Sequence, residues 1–140
     1  MRAAFDVLVA LHVTCAVVGF ASVAVSGAYG VIAPGSPEEG RRYFSSPGRA
    51  ELLILAVPVF GVAALAVRPS GHDFAAAWVL AALGIWAAAS ALLLGVVRPA
   101  ERRLRASVGD RAAARALARA GAACDVLFAA AVFLMITQPR

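Results

Sequence analysis

The sequence predicts an all-α integral membrane protein, a four-helix transmembrane bundle with a short basic helical hairpin on its cytoplasmic side. Three observations predict it. Hydrophobic residues make up 62% of the 140 residues, and the mean hydropathy of +0.84 is more than so small a body can hide in an interior. Charged residues are only 15% of the chain, below the ~25% of a soluble domain and far from a disordered composition. The apolar residues gather into long runs without the strict alternation of barrel strands, and in lipid that leaves helices. The chain reads as one domain, residues 1–140.

The first helix is expected over about residues 5–33, with no charge after Asp6. Arg2 before an apolar run fits a signal peptide, but the run far exceeds the ~7–15 residues of an h-region and contains His12. It therefore reads as a retained transmembrane helix, with Asp6 an acid at its N-terminus. Pro34-Gly35-Ser36-Pro37 ends it. The second helix, about 50–67, follows the turn cluster Ser45-Ser46-Pro47-Gly48, and Pro58 with Gly61 makes it the helix to kink. Arg68-Pro69-Ser70-Gly71 forms a tight outer turn. The third helix, about 74–107, is uncharged to Val97 and continues past Pro99, which is tolerated near a membrane end. Val108-Gly109-Asp110 turns the chain, and Asp110 is the N-cap of the fourth helix, about 110–137. A hydrocarbon core needs ~20 helical residues, with ~17 as a lower limit. The second and fourth spans are short on that scale, so neighbours are expected to cover their ends.

All 13 basic residues are Arg, and the net charge is +5. In a soluble protein a sequence pI of about 10.6 would suggest nucleic acid. Here the arginines lie between apolar spans, so no nucleic-acid partner is expected. Arg41, Arg42, Arg49, Arg98, Arg102, Arg103, Arg105, Arg111, Arg115 and Arg119 fall in two connections, against Arg2, Arg68 and Arg140 on the other side. The positive-inside rule then places both termini outside, in a bacterial cytoplasmic (inner) membrane. Alanine at 35 of 140 residues, with no Lys, matches a GC-rich bacterial genome. The Arg-rich inner face is expected to meet anionic lipid headgroups.

Small and polar residues mark the helix contacts, since lipid offers no hydrophobic drive for association. On the first helix His12, Cys15, Gly19, Ser22, Ser26 and Tyr29 recur at helical spacing. On the third, Ala77, Ala81, Gly84, Ala88, Ala91 and Gly95 form a similar seam, which turns Trp78 and Trp86 toward lipid or a neighbouring subunit. On the fourth, Asp125, Phe128, Val132 and Met135 share a face. Cys15 and Cys124 have no metal-type spacing and read as small buried side chains.

Among polar groups His12 stands out, because ionisable residues within a membrane helix default to functional hypotheses. It could serve as a haem or copper ligand or a proton-transfer group, or hydrogen-bond a neighbouring helix. His72, beside Asp73, is the only other histidine, so a haem b shared between two chains, each giving His12, is the simpler arrangement. Asp125 is expected to pair with Arg98 or Arg119 near the inner face, fixing geometry. There is no phosphate-cradling Gly loop, no HExxH and no Cys/His cluster, so no catalytic residue is assigned and an enzyme is not expected.

Leu11-His12-Val13, Trp78-Val79-Leu80-Ala81 and Leu134-Met135-Ile136-Thr137-Gln138-Pro139 resemble an uncharacterised family of small four-helix bacterial membrane proteins. That family is distantly like the copper-resistance-protein-D membrane domains and the HemJ-type protoporphyrinogen oxidases. The resemblance implies a four-helix bundle and favours haem or copper at His12. The leading functional expectation is a non-catalytic accessory, assembly or scaffold subunit of a larger membrane complex or homo-oligomer. A haem- or copper-binding protein of redox or haem-handling type is the alternative, and a small proton-coupled transporter using Asp125 a further one.

Overall fold

In the computed structural model, residues 2–45, 50–68 and 76–137 are described. Every regular element among them is helical. Helix α1 (Arg2–Ile32) is followed by a short α2 (Pro37–Ser45). A single 3-10 turn (Ala50–Leu52) leads into α3 (Leu53–Ala66). Helix α4 (Ala77–Leu92) passes through a π-helical stretch (Leu93–Val97) into α5 (Arg98–Ala106), and α6 (Arg111–Thr137) closes the chain. Three of these helical runs, including Ala77–Ala106 taken whole, are long and apolar enough to cross a membrane. A fourth exists if α2 and the Ala50–Ala66 run, bent by 59° to each other, count as one span. The outer surface stays apolar, with Val31, Val126 and Phe133 each 70% exposed and Ile136 78%.

Each boundary has a local cause. Helix α1 stops where Pro34 and Gly35 come next, and the Gly35 and Ser36 amides both turn back to the Ile32 carbonyl. Helix α2 is an addition to the connection expected there. It starts with Pro37, which needs no N–H partner in the first turn, and carries Glu38 and Glu39 there with Arg42 in its last turn, matching the helix dipole. The π stretch solves the problem of Pro99. With no amide on Pro99, the Arg98 N–H reaches five residues back to the Leu93 carbonyl. Asp110 caps α6 as expected, its Oδ1 accepting the Ala112 and Ala113 amides at 3.0 Å each.

Helix α1 packs along both α3 and α6, and α4 closes the ring by touching α6 and α3. The seam expected on α1 does face inward, with Cys15, Gly19 and Ser26 buried and His12, Ser22 and Tyr29 half-buried. Its glycines set the spacing. A Cβ on Gly30 would sit 2.8 Å from the Ala114 carbonyl oxygen, and one on Gly19 2.9 Å from the Ile54 amide nitrogen. Gly27 and Gly121 face each other where α1 crosses α6. The core between them is Phe20, Val23, Ile54, Leu93, Leu117 and Cys124, with Phe128 stacked on Phe20 at 4.9 Å.

Two expected faces are corrected. On α4 the seam Ala77, Ala81, Gly84, Ala88, Ala91 and Gly95 is exposed throughout, and nothing lies within 4 Å of a Cβ placed on Gly84 or Gly95. The buried face is instead Val79, Ala89, Ser90, Leu93 and Val97. Trp86 turns inward rather than outward, because Pro58 has no amide to give the Ile54 carbonyl and the Trp86 indole takes that place at 2.9 Å. On α6 the buried line runs through Ala113, Leu117, Ala120 and Cys124, leaving Asp125 and Val132 exposed. The turns read at 46–48 and 69–71, His72 with Asp73, and residues 138–140 lie outside the described residues.

Candidate functional site

Two polar places interrupt the apolar packing, one toward each end of α1. The first is built on His12. Its Nδ1 lies 2.8 Å from the Val57 carbonyl oxygen. A carbonyl only accepts, so Nδ1 carries a proton and donates, and Nε2 is the ring nitrogen that this bond leaves unengaged. Gly61 makes the fit possible, since a Cβ there would fall 2.8 Å from Nδ1. His12 is thus seated on α3, the helix that carries Pro58.

The second place lies where α1, α2, the 3-10 turn and α5 converge. The Ser26 hydroxyl donates to Glu101 Oε1 at 2.5 Å. Its single proton being used there, the Tyr43 hydroxyl donates to Ser26 Oγ at 2.8 Å. Tyr29 stacks flat on Tyr43, with ring centroids 3.9 Å apart, and the Phe44 ring meets Tyr43 edge-on. The Arg105 side chain donates to the Phe44 carbonyl oxygen at 2.9 Å and ties α2 to α5. Glu51, on the 3-10 turn, is 3% exposed, and its Oε1 has no hydrogen-bond partner.

The phase of the long helix brings Glu101 to this place. Ala100 and Leu104 continue the buried line of Leu93 and Val97 at helical spacing, with Glu101 beside them. Glu101 and Tyr43 both lie beyond the uncharged runs. Burial pushes the Glu101 carboxyl above its ordinary range; the Ser26 bond opposes this, the Glu51 charge adds to it, and Arg105 and Arg98 pull it back. Burial likewise raises the Tyr43 hydroxyl, with the Ser26 bond opposing and the charges of Glu101 and Glu51 adding. Glu51 therefore acts on both partners of the Ser26 hydroxyl.

The residues singled out in the sequence distribute unevenly over these places. His12 forms the first place. Ser26 is the hub of the second, a polar role beyond the packing role expected of it. Cys15 and Gly19 are buried packing residues of α1, and Ser22 is half-buried beside them. Gly84 packs against nothing in this chain. Asp125 and Arg119 are exposed on α6 and Arg98 is half-buried. Among the described residues no three His, Cys, Asp or Glu side chains gather as metal ligands do. Sequence reasoning missed Tyr43, Glu51 and Glu101. The available signal was Glu51 itself, a lone acid opening an apolar run directly after a turn.

Comparison with known protein families, with curated proteins and with solved structures found no match to this chain.

Proposed function

We propose that this chain is a multi-pass protein of the bacterial cytoplasmic membrane, with both termini outside, that works as a non-catalytic subunit of a larger membrane assembly. One observation carries the reading. The small residues of α4 line up at helix-contact spacing, yet all six point away from the chain's own core. In lipid such a row serves close approach of another helix, because small side chains let two backbones meet. The exposed Asp125 adds to it. A carboxylate at membrane depth costs roughly 2.5–3.5 kcal/mol on insertion scales, and a covering partner would relieve that cost. The apolar outer surface of α1, α4 and α6 supports the membrane reading, and the arginines of the α5–α6 hairpin support the orientation and contact with anionic headgroups.

The test is the mass of the complex extracted gently from native membranes. An assembly larger than one chain, reduced to the single chain by Gly84→Leu, is the expected result. A wild-type protein that runs alone would sink the proposal, and the partner's mass separates a second copy from a different protein.

A second reading, haem or copper held by His12, is favoured by the free Nε2. A hydrogen bond from Nδ1–H to a backbone carbonyl is the way ligating histidines are oriented. The family resemblance at Leu11-His12-Val13 points the same way. The described residues of one chain supply one such nitrogen, so a six-coordinate haem would need the His12 of a second chain. The check is an absorption spectrum of protein from its own membranes, oxidised and then reduced. A Soret band that shifts on reduction and vanishes in His12→Ala would bring this reading forward; a flat spectrum would leave His12 a packing residue.

A further inference from the structure

Helix α2 is short, and its ties to the rest of the chain can be named. Phe44 is buried, and its carbonyl oxygen takes the Arg105 side chain of α5 at 2.9 Å. Gly40 lets the helix lie against Ala33 and Val108. The remaining tie is polar and runs through three helices. The Tyr43 hydroxyl of α2 donates to Ser26 of α1 at 2.8 Å, and Ser26 donates to Glu101 of α5 at 2.5 Å. Tyr29 stacks on Tyr43 at 3.9 Å and Phe44 meets its edge, so apolar rings flank these hydroxyls. The carboxyl is the one member of the chain whose ordinary range lies below neutral pH. A neutral Glu101 can accept the Ser26 proton or donate its own, so the hydrogen bonds close in either protonation state. What differs is the charge. On half-buried Glu101 it is penalised while α2 lies on α5, and relieved when water reaches the carboxylate.

We propose that the Tyr43–Ser26–Glu101 chain is a proton-operated latch: α2 closes on α1 and α5 while Glu101 is neutral and is released as Glu101 ionises. Burial holds the Glu101 carboxyl above its ordinary range; the Ser26 bond opposes this, the charge of Glu51 on the 3-10 turn adds to it, and Arg105 and Arg98 on α5 itself oppose it. Burial also raises the Tyr43 hydroxyl, which faces the chain from α2, so it keeps its proton throughout. Helix α6 also packs on α5, and its Arg111, Arg115 and Arg119 are exposed. With α2 released the carboxyl is hydrated and its ordinary range returns. The closed state therefore binds more protons than the open one, and its stability falls as pH rises from the ordinary carboxylate range through the raised value of Glu101. One proton is exchanged inside that window, so the closed-to-open ratio falls by about tenfold per pH unit. The released segment carries Arg41 and Arg42, both exposed cations.

The experiment follows amide hydrogen exchange in α2 of the full chain in detergent, from acid to neutral pH, in wild type and in Glu101→Gln. The glutamine amide still accepts the Ser26 proton and carries no charge at any pH. Comparing the two proteins at each pH cancels the chemical pH dependence of exchange. The expected result is equal protection of α2 at acid pH. As pH rises, wild type loses protection by about tenfold per unit and the variant holds it, with α6 unchanged in both. Tyr43→Phe keeps the stacked ring but removes the tie, and should lower α2 protection already at acid pH. A wild-type-to-variant ratio that stays constant with pH overturns the proposal. So does a loss that spreads equally over α6, or a Tyr43→Phe helix as protected as wild type. Should Glu101→Gln fail to fold, the wild type decides, its α2 protection taken against the same peptides unfolded at each pH. Protection lost in step with the infrared band of a protonated carboxyl supports the latch, and protection indifferent to pH refutes it.

Discussion

Helices α1 and α4 carry almost the same signature, a row of small residues at spacings of three and four, and use it in opposite directions. On α1 the row is enclosed by α3 and α6, with glycine backbones at contact distance. On α4 the row is bare. What separates them is a polar anchor. The Trp86 indole bonds the carbonyl that Pro58 leaves free, and this fixes which side of α4 turns to the core. Small residues show that a helix meets something closely; they do not say whether the other helix belongs to the same chain.

The sharpest way to break the contrast is on α1. Gly30→Val would drive a side chain into the Ala114 carbonyl and the Ala118 amide, both backbone atoms of α6 that cannot swing aside. The expected loss is about 3 kcal/mol, the upper part of the usual range for overpacking. Chemical unfolding in detergent micelles measures it, and a loss below that of a surface substitution would mean α1 and α6 are not packed so closely.

The next effect tests the anchor. Trp86→Phe keeps the ring volume roughly and removes the donor, leaving the Ile54 carbonyl unsatisfied at a cost of about 2 kcal/mol. In a Pro58→Ala background the new amide at position 58 can bond that carbonyl, so the same change should cost much less. The coupling in this double-mutant cycle is the decisive number. No coupling would mean that the indole does not set the phase of α4.

These two cases also show what was legible in the sequence. Helix ends were readable where Pro, Gly or Asp fix them, at Pro34-Gly35 and at Asp110. The inward face of α1 was readable because a polar row containing His12 and Ser26 has no reason to face lipid. The face of α4 was not, because Ala and Gly suit either side and the decision rests on a pairing between residues 32 apart. That pairing had a signal, since a proline inside a helix always frees a carbonyl four residues back and a tryptophan is a donor in search of an acceptor. The second polar place was hidden for a different reason. Glu51 and Glu101 look like acids at the ends of spans, and α2, whose Tyr43 meets Glu101 through Ser26, is not visible as a hydrophobic period.

A smaller effect belongs to the cap of α6, the helix that α1 and α4 share. Asp110→Ala removes the acceptor for two amides and should cost about 1 kcal/mol. Asp110→Asn should recover most of it. Equal losses in both would show that the charge on the helix dipole matters rather than the hydrogen bonds.

The smallest effect on stability carries the most weight for function. Gly84→Leu places a large side chain where nothing lies within 4 Å, so the chain's own packing is untouched. Its unfolding should change by less than about 0.5 kcal/mol, as for a surface site, and a leucine favours the helix over glycine in any case. The same substitution on the α1 row would be ruinous. If the α4 row is a contact with another subunit, Gly84→Leu separates the two properties, leaving a folded chain that no longer assembles. Comparing unfolding with the mass of the extracted complex reads both at once. A variant that is destabilised would mean the row is packed inside the chain after all. One that folds and still assembles would mean α4 faces lipid alone, and the likeness of the two rows would then be a property of alanine-rich sequence rather than of recognition.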